Sequence, residues 1–219
     1  MPGYPFAELE RRAAELRRQG KPLFDLSIGD PDLPPPPFLV EAVKKGFEHP
    51  QAHRYPSSRG SIEVREAIAK WYEGRFGITT DPEREVTILI GAKEGLAQLA
   101  RAFIAVGDRV AFPDPGYPVY RRAGCFMLGG TPCPIPLYFE NQFLPSIKDL
   151  NTCKLLYLNY PHNPTGALAN RQFLQDLSAW MSRNSQTIVA YDMAYGEMTF
   201  GEPSLSLLTF NRNGVEFHS

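Results

Sequence analysis

From about residue 82 onward, the chain repeatedly places a short apolar run, rich in β-branched and aromatic residues, ahead of a segment with helical spacing. The apolar runs occupy residues 86–90, 109–112, 154–158 and 187–191. Helical spacing of apolar residues follows over 93–104, 117–123 and 172–181. This alternation predicts an α/β domain with a largely parallel sheet, in which ligands bind beyond the carboxyl ends of the strands.

The beginning of the chain has a different pattern, in which helices dominate. Apolar residues recur at helical spacing over 6–19 and again over 38–48, and both segments are predicted to be helices. A polar loop follows the second helix, and we place a domain boundary there. The chain is therefore predicted to divide into residues 1–50 and residues 51–219.

Composition and charge exclude several classes of function. The 219 residues carry 23 Lys and Arg against 24 Asp and Glu, a net charge of −1, so no basic surface for nucleic acid is expected. The longest uncharged stretch, residues 123–139, contains prolines and is shorter than the ~20 residues of a membrane helix. Cys125, Cys133 and Cys153 are odd in number, lack C-x-x-C spacing and lie in apolar surroundings, which favours buried thiols over a disulfide framework or a zinc site. We expect a cytoplasmic protein without a metal site that binds a small molecule.

The loop at residues 91–95 joins a predicted strand to a predicted helix. Backbone N–H groups at the start of a helix lack partners within the helix and lie at its positive end, so this loop can bind a phosphate. The alternative is an ordinary turn in which glycine only relieves steric crowding. Both interpretations fit the loop when it is considered alone.

Polar groups of unusual type follow the other predicted strands. Tyr117 lies between two prolines, Asn163 precedes Pro164 in a loop rich in turn residues, and Asp192 ends a buried run. Together these side chains complement a planar heterocycle with a protonated ring nitrogen. The alternatives are a tyrosine packed on the core and an aspartate that caps a helix. His162, in the same loop as Asn163, is expected at the loop surface.

Seven motifs, which span the chain, occur in a specific order and spacing. They are Gly29-Asp30-Pro31-Asp32, Arg54-Tyr55-Pro56 with Gly60, Gly91-Ala92-Lys93-Glu94-Gly95, Asp114-Pro115-Gly116-Tyr117-Pro118, Asn163-Pro164-Thr165-Gly166, Tyr191-Asp192 with Tyr195, and Val215-Glu216-Phe217-His218-Ser219. In these motifs the chain resembles the amino-terminal part of a class I/II pyridoxal-phosphate aminotransferase of fold type I, most closely the LL-diaminopimelate aminotransferase branch. The resemblance implies a truncated three-layer α/β/α fold. Residues 1–50 would be an N-terminal arm with part of a small domain, and residues 51–219 an incomplete cofactor-binding large domain.

The resemblance also implies a role for individual residues. Those that would bind pyridoxal 5′-phosphate are Ala92, Lys93, Tyr117, Asn163, Asp192, Tyr195, Ser219 and, from the neighbouring subunit, Tyr55. Asp192 would pair with the pyridine nitrogen and keep it protonated, which makes the ring an electron sink. Tyr4 and Gly29 match positions that close over the substrate. Relatives often have serine at position 92, so Ala92 lacks one hydroxyl contact to the phosphate.

The expected reaction is transfer of an amino group from LL-diaminopimelate, or a related amino acid, to a 2-oxo acid such as 2-oxoglutarate, in a homodimer. In the family, Ser219 opens a Ser-x-x-Lys motif whose lysine forms the Schiff base with the cofactor. That lysine follows the last residue of this sequence, so no catalytic residue is assigned and the fragment is expected to be inactive alone. The alternatives are another fold type I enzyme, such as a carbon–sulfur lyase, and a non-catalytic or ligand-sensing module.

Overall fold

The computed structural model describes residues 5–26, 29 and 33–219. The chain forms two compact units, Met1–Tyr55 and Pro56–Ser219. This division falls close to the boundary predicted after residue 50. The assignment of the first unit to an arm with part of a small domain stays a prediction.

Two helices account for most of the described part of the first unit. They are α1 (Pro5–Arg18) and α2 (Pro37–Glu48), and both agree with the apolar spacing of the sequence. Helix α2 begins at Pro37, because proline has the backbone angle of a helix and needs no hydrogen-bond partner in the first turn. The two predicted helices of this unit are confirmed.

The second unit is built on a sheet of five strands in the order β2-β1-β3-β4-β5, and every neighbouring pair is parallel. The strands are β1 (Arg109–Asp114), β2 (Thr131–Pro136), β3 (Leu155–Asn159), β4 (Ile188–Asp192) and β5 (Gly214–Phe217). The helices of this unit are α3 (Ile62–Phe76), α4 (Ala92–Phe103), α5 (Pro118–Arg121), which continues as a π-helical turn, and α6 (Arg171–Arg183). The predicted α/β class with a mostly parallel sheet is confirmed.

Helices cover both faces of this sheet, which gives the three layers. Successive strand residues point to opposite faces, so Leu155 and Tyr157 of β3 belong to the core beneath α4 and α5. Leu156 and Leu158 of the same strand belong to the second core, beneath α6. The buried run in β3 therefore supplies both cores at once, as expected for a parallel strand that is covered on both faces.

Strand β2 was not expected, because three of its six residues are proline. Its position at the edge of the sheet explains why prolines are tolerated there. The N–H groups of Thr131 and Leu137 donate to Asp108 and Asp114, so the odd-numbered positions face β1. The prolines occupy the even-numbered positions, whose missing N–H groups point away from the sheet.

The prediction of a strand at residues 86–90 is wrong, because this segment pairs with none of the five strands. It is extended, and the N–H of Ile88 donates to the carbonyl of Arg59. Leu89 packs against α4 at Gly95, where an added Cβ would collide with the Leu89 side chain. The β-branched side chains of this segment favour an extended backbone, but a β-strand also needs a second strand to pair with at a distance of ~4.8 Å.

Two classes of feature are missing from the part of the chain that the structure describes. None of its helices is both long and apolar enough to cross a bilayer. Its His, Cys, Asp and Glu side chains form no group of three or more that suits a metal ion.

Replacement of a core residue on α6 tests the layer arrangement. Leu174 is fully buried between α6 and the sheet, so Leu174→Ala should lower the free energy of unfolding by about 2–5 kcal/mol. The adjacent Gln175 is exposed, and Gln175→Ala should change it by less than about 0.5 kcal/mol. Urea denaturation of the full-length protein measures both. Equal effects of the two substitutions would contradict the assigned face of α6.

Candidate functional site

A cleft of about 160 Å³ lies beyond the carboxyl ends of the strands. Its lining residues are Ala92, Lys93, Leu96, Tyr117, Asn159, Asn163, Asp192, Ala194, Tyr195 and Ser219. Larger cavities exist, including one of about 990 Å³ beside residues 202–205. We take the smaller cleft as the candidate site because it brings together most of the polar residues singled out in the sequence.

Asp192, the last residue of β4, is the buried acid of this cleft, with 4% of its surface exposed. Its Oδ1 accepts a hydrogen bond from the N–H of Ala194 at 3.0 Å, and its Oδ2 accepts one from the hydroxyl of Tyr120 at 2.8 Å. Burial raises the pKa of the carboxyl, and these hydrogen bonds together with nearby His218 offset only part of that rise. Turns follow Asp192, so it does not cap a helix.

Asn159, the last residue of β3, lies opposite Asp192 in the strand register. Its side-chain N–H₂ donates to the carbonyl of Asp192 at 2.9 Å and to that of Pro161 at 3.1 Å. Its Oδ1 accepts from the N–H of Asn163 at 2.8 Å. Asn159 thus joins the ends of two strands to the loop that carries Asn163. The sequence analysis missed this residue, although an amide that ends a buried run beside a second polar strand end was a usable signal.

Asn163 and Tyr195 form the polar wall of the cleft. The Asn163 side-chain N–H₂ lies 3.4 Å from the Tyr195 hydroxyl, to which it donates. The Asn163–Pro164 peptide bond is cis, as is Tyr160–Pro161. The structure brings the Asn163 amide and the Tyr195 hydroxyl into contact, and the cofactor-binding role that the resemblance implies for them stays a prediction.

Helix α4 contributes its N-terminus to the cleft. Gly91 caps the helix with a φ of 83°, a conformation that favours glycine, and the carboxylate of Glu94 accepts from the N–H of Ile90 at 2.8 Å. Ala92 is buried, and the Lys93 Nζ lies 5.6 Å from the centre of the Tyr117 ring. A positive helix end and a lysine therefore lie beside an aromatic face.

The remaining predicted site residues lie in different places. Ser219 lines the cleft. Tyr55 and Gly29 are exposed in the first unit, and Tyr4 is outside the described residues. The functional roles of all these residues stay predictions.

The expectation that His162 lies at the loop surface is wrong, since only 3% of it is exposed. Its Nδ1 lies 2.8 Å from the hydroxyl of Thr165, and its ring packs against Tyr160 with centres 5.8 Å apart. The loop folds back on itself, with the N–H of His162 bonded to the carbonyl of Ala167, and this encloses the ring. Burial lowers the pKa of His162.

Residues 21–217 match the sequence profile of the family described as aminotransferase class I and II. The chain belongs to this family. This aminotransferase chain is 43% identical to the LL-diaminopimelate aminotransferase of Aquifex aeolicus, over 100% of its own length and 58% of that protein. The enzyme of the same name from Desulforudis audaxviator is 42% identical, with the same shares covered. The chain thus spans somewhat more than half the length of these curated relatives.

Solved structures agree with the aminotransferase fold. Substrate-bound BacF from Bacillus subtilis superposes with a TM-score of 0.91 and 33% identity, over 100% of this chain and 57% of that one. A probable N-succinyldiaminopimelate aminotransferase from Thermus thermophilus gives 0.89 and 31%, over 98% of this chain and 59% of that one. The three-layer fold is therefore that of known aminotransferases.

The raised pKa of Asp192 predicts how stability depends on pH. A carboxyl that binds protons more tightly in the folded state makes the free energy of unfolding fall as the pH rises from its ordinary pKa of 3.8 to the raised value. Without added ligand, wild-type protein should lose stability relative to Asp192→Asn over this interval, and the difference should level off above it. Asp176→Asn, which removes an exposed carboxyl from α6, is the control. Urea unfolding at a series of pH values measures both, and a difference independent of pH would refute the assignment.

Proposed function

We propose that this chain is the cofactor-binding part of a pyridoxal-5′-phosphate-dependent aminotransferase, which moves an amino group from an amino acid to a 2-oxo acid. The observation that carries the proposal is the buried carboxylate of Asp192 in a cleft shared with Tyr117, Asn163 and Tyr195. A buried anion, an aromatic face and a pair of hydrogen-bonding groups match the parts of a protonated pyridine ring with a phenolic oxygen.

The charge of Asp192 fits the ring nitrogen. A cation next to a carboxylate stabilises its ionised form, and it does so most strongly where water is excluded. Asp192 would therefore hold a proton on the pyridine nitrogen. When bound, pyridoxal phosphate supplies an electron sink for the negative charge that develops at the substrate's α-carbon.

The N-terminus of α4 fits the phosphate. The N–H groups of Ala92 and Lys93 belong to the first turn of α4, where the helix carries a partial positive charge that favours an anion. The Lys93 ammonium group adds a full charge beside them. Buried Ala92 brings no hydroxyl to this position, so the backbone and the helix end would hold the phosphate.

The rest of the ring has matching partners on two sides. Tyr117 would stack on the ring, and its edge contact with Tyr120, at 5.8 Å between ring centres, restricts its movement. Asn163 and Tyr195, which already contact each other, would share the phenolic oxygen. Ser219, in the wall of the cleft, would lie beside the cofactor.

The substrates of the whole protein are part of the same proposal. The two relatives named LL-diaminopimelate aminotransferase support LL-diaminopimelate as the amino donor. The acceptor in this proposal is a 2-oxo acid such as 2-oxoglutarate, as the resemblance implies. Tyr4 and Gly29 would contact the substrate, and Tyr55 would reach the phosphate of the other subunit in a homodimer. The three cysteines are free thiols, which supports a cytoplasmic location. We propose that transamination needs a Schiff-base lysine, which the resemblance assigns to a position after Ser219.

Substitution of Asp192 tests this function in the full-length protein supplied with pyridoxal phosphate. Asp192→Ala should lower kcat at least roughly a hundredfold, the scale expected when one preorganised charge at the reacting group is lost. Glutamate formed from LL-diaminopimelate and 2-oxoglutarate measures the rate. Asp176→Ala, on the exposed face of α6, should stay within twofold of wild type.

The outcomes separate the parts of the proposal. An Asp192→Ala enzyme with wild-type kcat would contradict the assigned role of the carboxylate. A higher kcat/KM for another amino acid would replace LL-diaminopimelate as the donor and leave the aminotransferase assignment in place.

A further inference from the structure

Tyr120 contacts two residues of the candidate site, Asp192 and Tyr117, that the sequence analysis treats separately. It lies on α5, with 1% of its surface exposed, and its hydroxyl donates to the Asp192 Oδ2 at 2.8 Å. Its ring stacks on Tyr157 of β3, with centres 4.9 Å apart and planes 19° apart. The Tyr120 ring also makes an edge-to-face contact with the Tyr117 ring, with ring centres 5.8 Å apart and an angle of 76° between the ring planes. One side chain thus contacts both the buried carboxylate and the aromatic wall of the cleft.

The hydroxyl of Tyr120 can act only as a donor towards an ionised Asp192. Burial raises the pKa of Tyr120 far above the usual range of tyrosine, with a smaller contribution from the charge of Asp192, so the phenol stays protonated. The other Asp192 oxygen accepts a hydrogen bond from the N–H of Ala194, and nearby His218 also lowers the pKa of this carboxyl. Two fixed donors therefore determine how the carboxylate is oriented.

The stack on Tyr157 prevents Tyr120 from leaving this position. The Tyr157 hydroxyl donates to the carbonyl of Leu96 on α4 at 2.8 Å, and Tyr157 itself is fully buried. A rotation of Tyr120 away from Asp192 would break the stack and leave a buried acceptor without a partner, which is costly. The stacked rings therefore hold Tyr120 in place, and this stacking does not require the Tyr157 hydroxyl.

We propose that Tyr120 is a positioning residue, whose hydroxyl holds the Asp192 carboxylate ionised and oriented towards the cleft. This inference rests on the proposed function only for the identity of the cation that Asp192 meets there. The competing interpretation is that Tyr120 merely fills the core, as its stacking on Tyr157 alone would explain.

Two matched substitutions separate these interpretations in the full-length protein. Tyr120→Phe keeps the ring and removes only the hydroxyl that contacts Asp192. Tyr157→Phe removes a hydroxyl from the other ring of the same stack, which contacts Leu96 instead. A role in packing alone predicts similar behaviour of the two variants, whereas a positioning role predicts that only the first affects Asp192.

The first measurement is the titration of the Asp192 carboxyl by ¹³C NMR in protein without cofactor. Loss of a donor to the ionised form should raise the pKa of Asp192 in Tyr120→Phe and leave it unchanged in Tyr157→Phe. Incorporation of 3-fluorotyrosine at position 120 preserves the ring and the hydroxyl and makes the hydroxyl a stronger donor. The fluorinated tyrosine should lower the pKa of Asp192. It tests the role of the hydroxyl even if Tyr120→Phe does not fold.

The second measurement is steady-state transamination with pyridoxal phosphate present. Tyr120→Phe should lower kcat roughly tenfold, the scale of one hydrogen bond to a charged group, with KM within twofold of wild type. Tyr157→Phe should stay within twofold in both constants. A wild-type protein that does not transaminate would refute the proposed function, and the titration would still test Tyr120. The same Asp192 pKa in wild type, Tyr120→Phe and the fluorotyrosine protein would overturn the positioning role.

Discussion

The parallel register between β3 and β4 determines both the core and the candidate site. It pairs Leu155 with Ile188 at one end and Asn159 with Asp192 at the other. Because side chains alternate between faces, a shift by one residue would exchange the two cores and turn Asp192 towards the opposite layer. In the observed register, Asn159 and Asp192 point to the side of the sheet that α4 and α5 cover. The alternation of side chains that packs the apolar core therefore also places Asn159 and Asp192 at the cleft.

The site keeps a carboxylate where burial disfavours its charge. Two neutral donors, the N–H of Ala194 and the hydroxyl of Tyr120, compensate part of the lost hydration. Burial still dominates, and the pKa of Asp192 remains raised. This unfavourable contribution to folding becomes favourable to binding once a cation enters the cleft, because the interaction of opposite charges is strong where water is scarce. Burial of the Asp192 carboxylate therefore lowers the stability of the protein without ligand and raises its affinity for a cationic ring.

Sequence reasoning predicted which polar side chains parallel topology brings to one edge of the sheet. It missed the side-chain contacts that depend on how the helices and loops pack. Asp192 and Asn163 were predictable because the carboxyl ends of parallel strands meet at one edge. The hydrogen bond between Tyr120 and Asp192 joins residues 72 positions apart, and no spacing rule reports it. Residues 86–90 have strand-like composition, but composition does not supply a neighbouring strand. Burial of His162 likewise depends on how its loop folds back, which a list of turn residues does not specify.

A tyrosine at position 120 suits the electrostatics of the cleft better than a cationic donor would. A lysine or a protonated histidine there would also stabilise ionised Asp192, but its full charge would cancel the negative potential that the carboxylate presents to the cleft. The phenol donates one hydrogen bond and adds no net charge, since burial keeps it protonated. Asp192 therefore retains its attraction for a cation while its orientation is fixed. The same argument applies to the N–H of Ala194, so both donors orient the carboxylate without neutralising it.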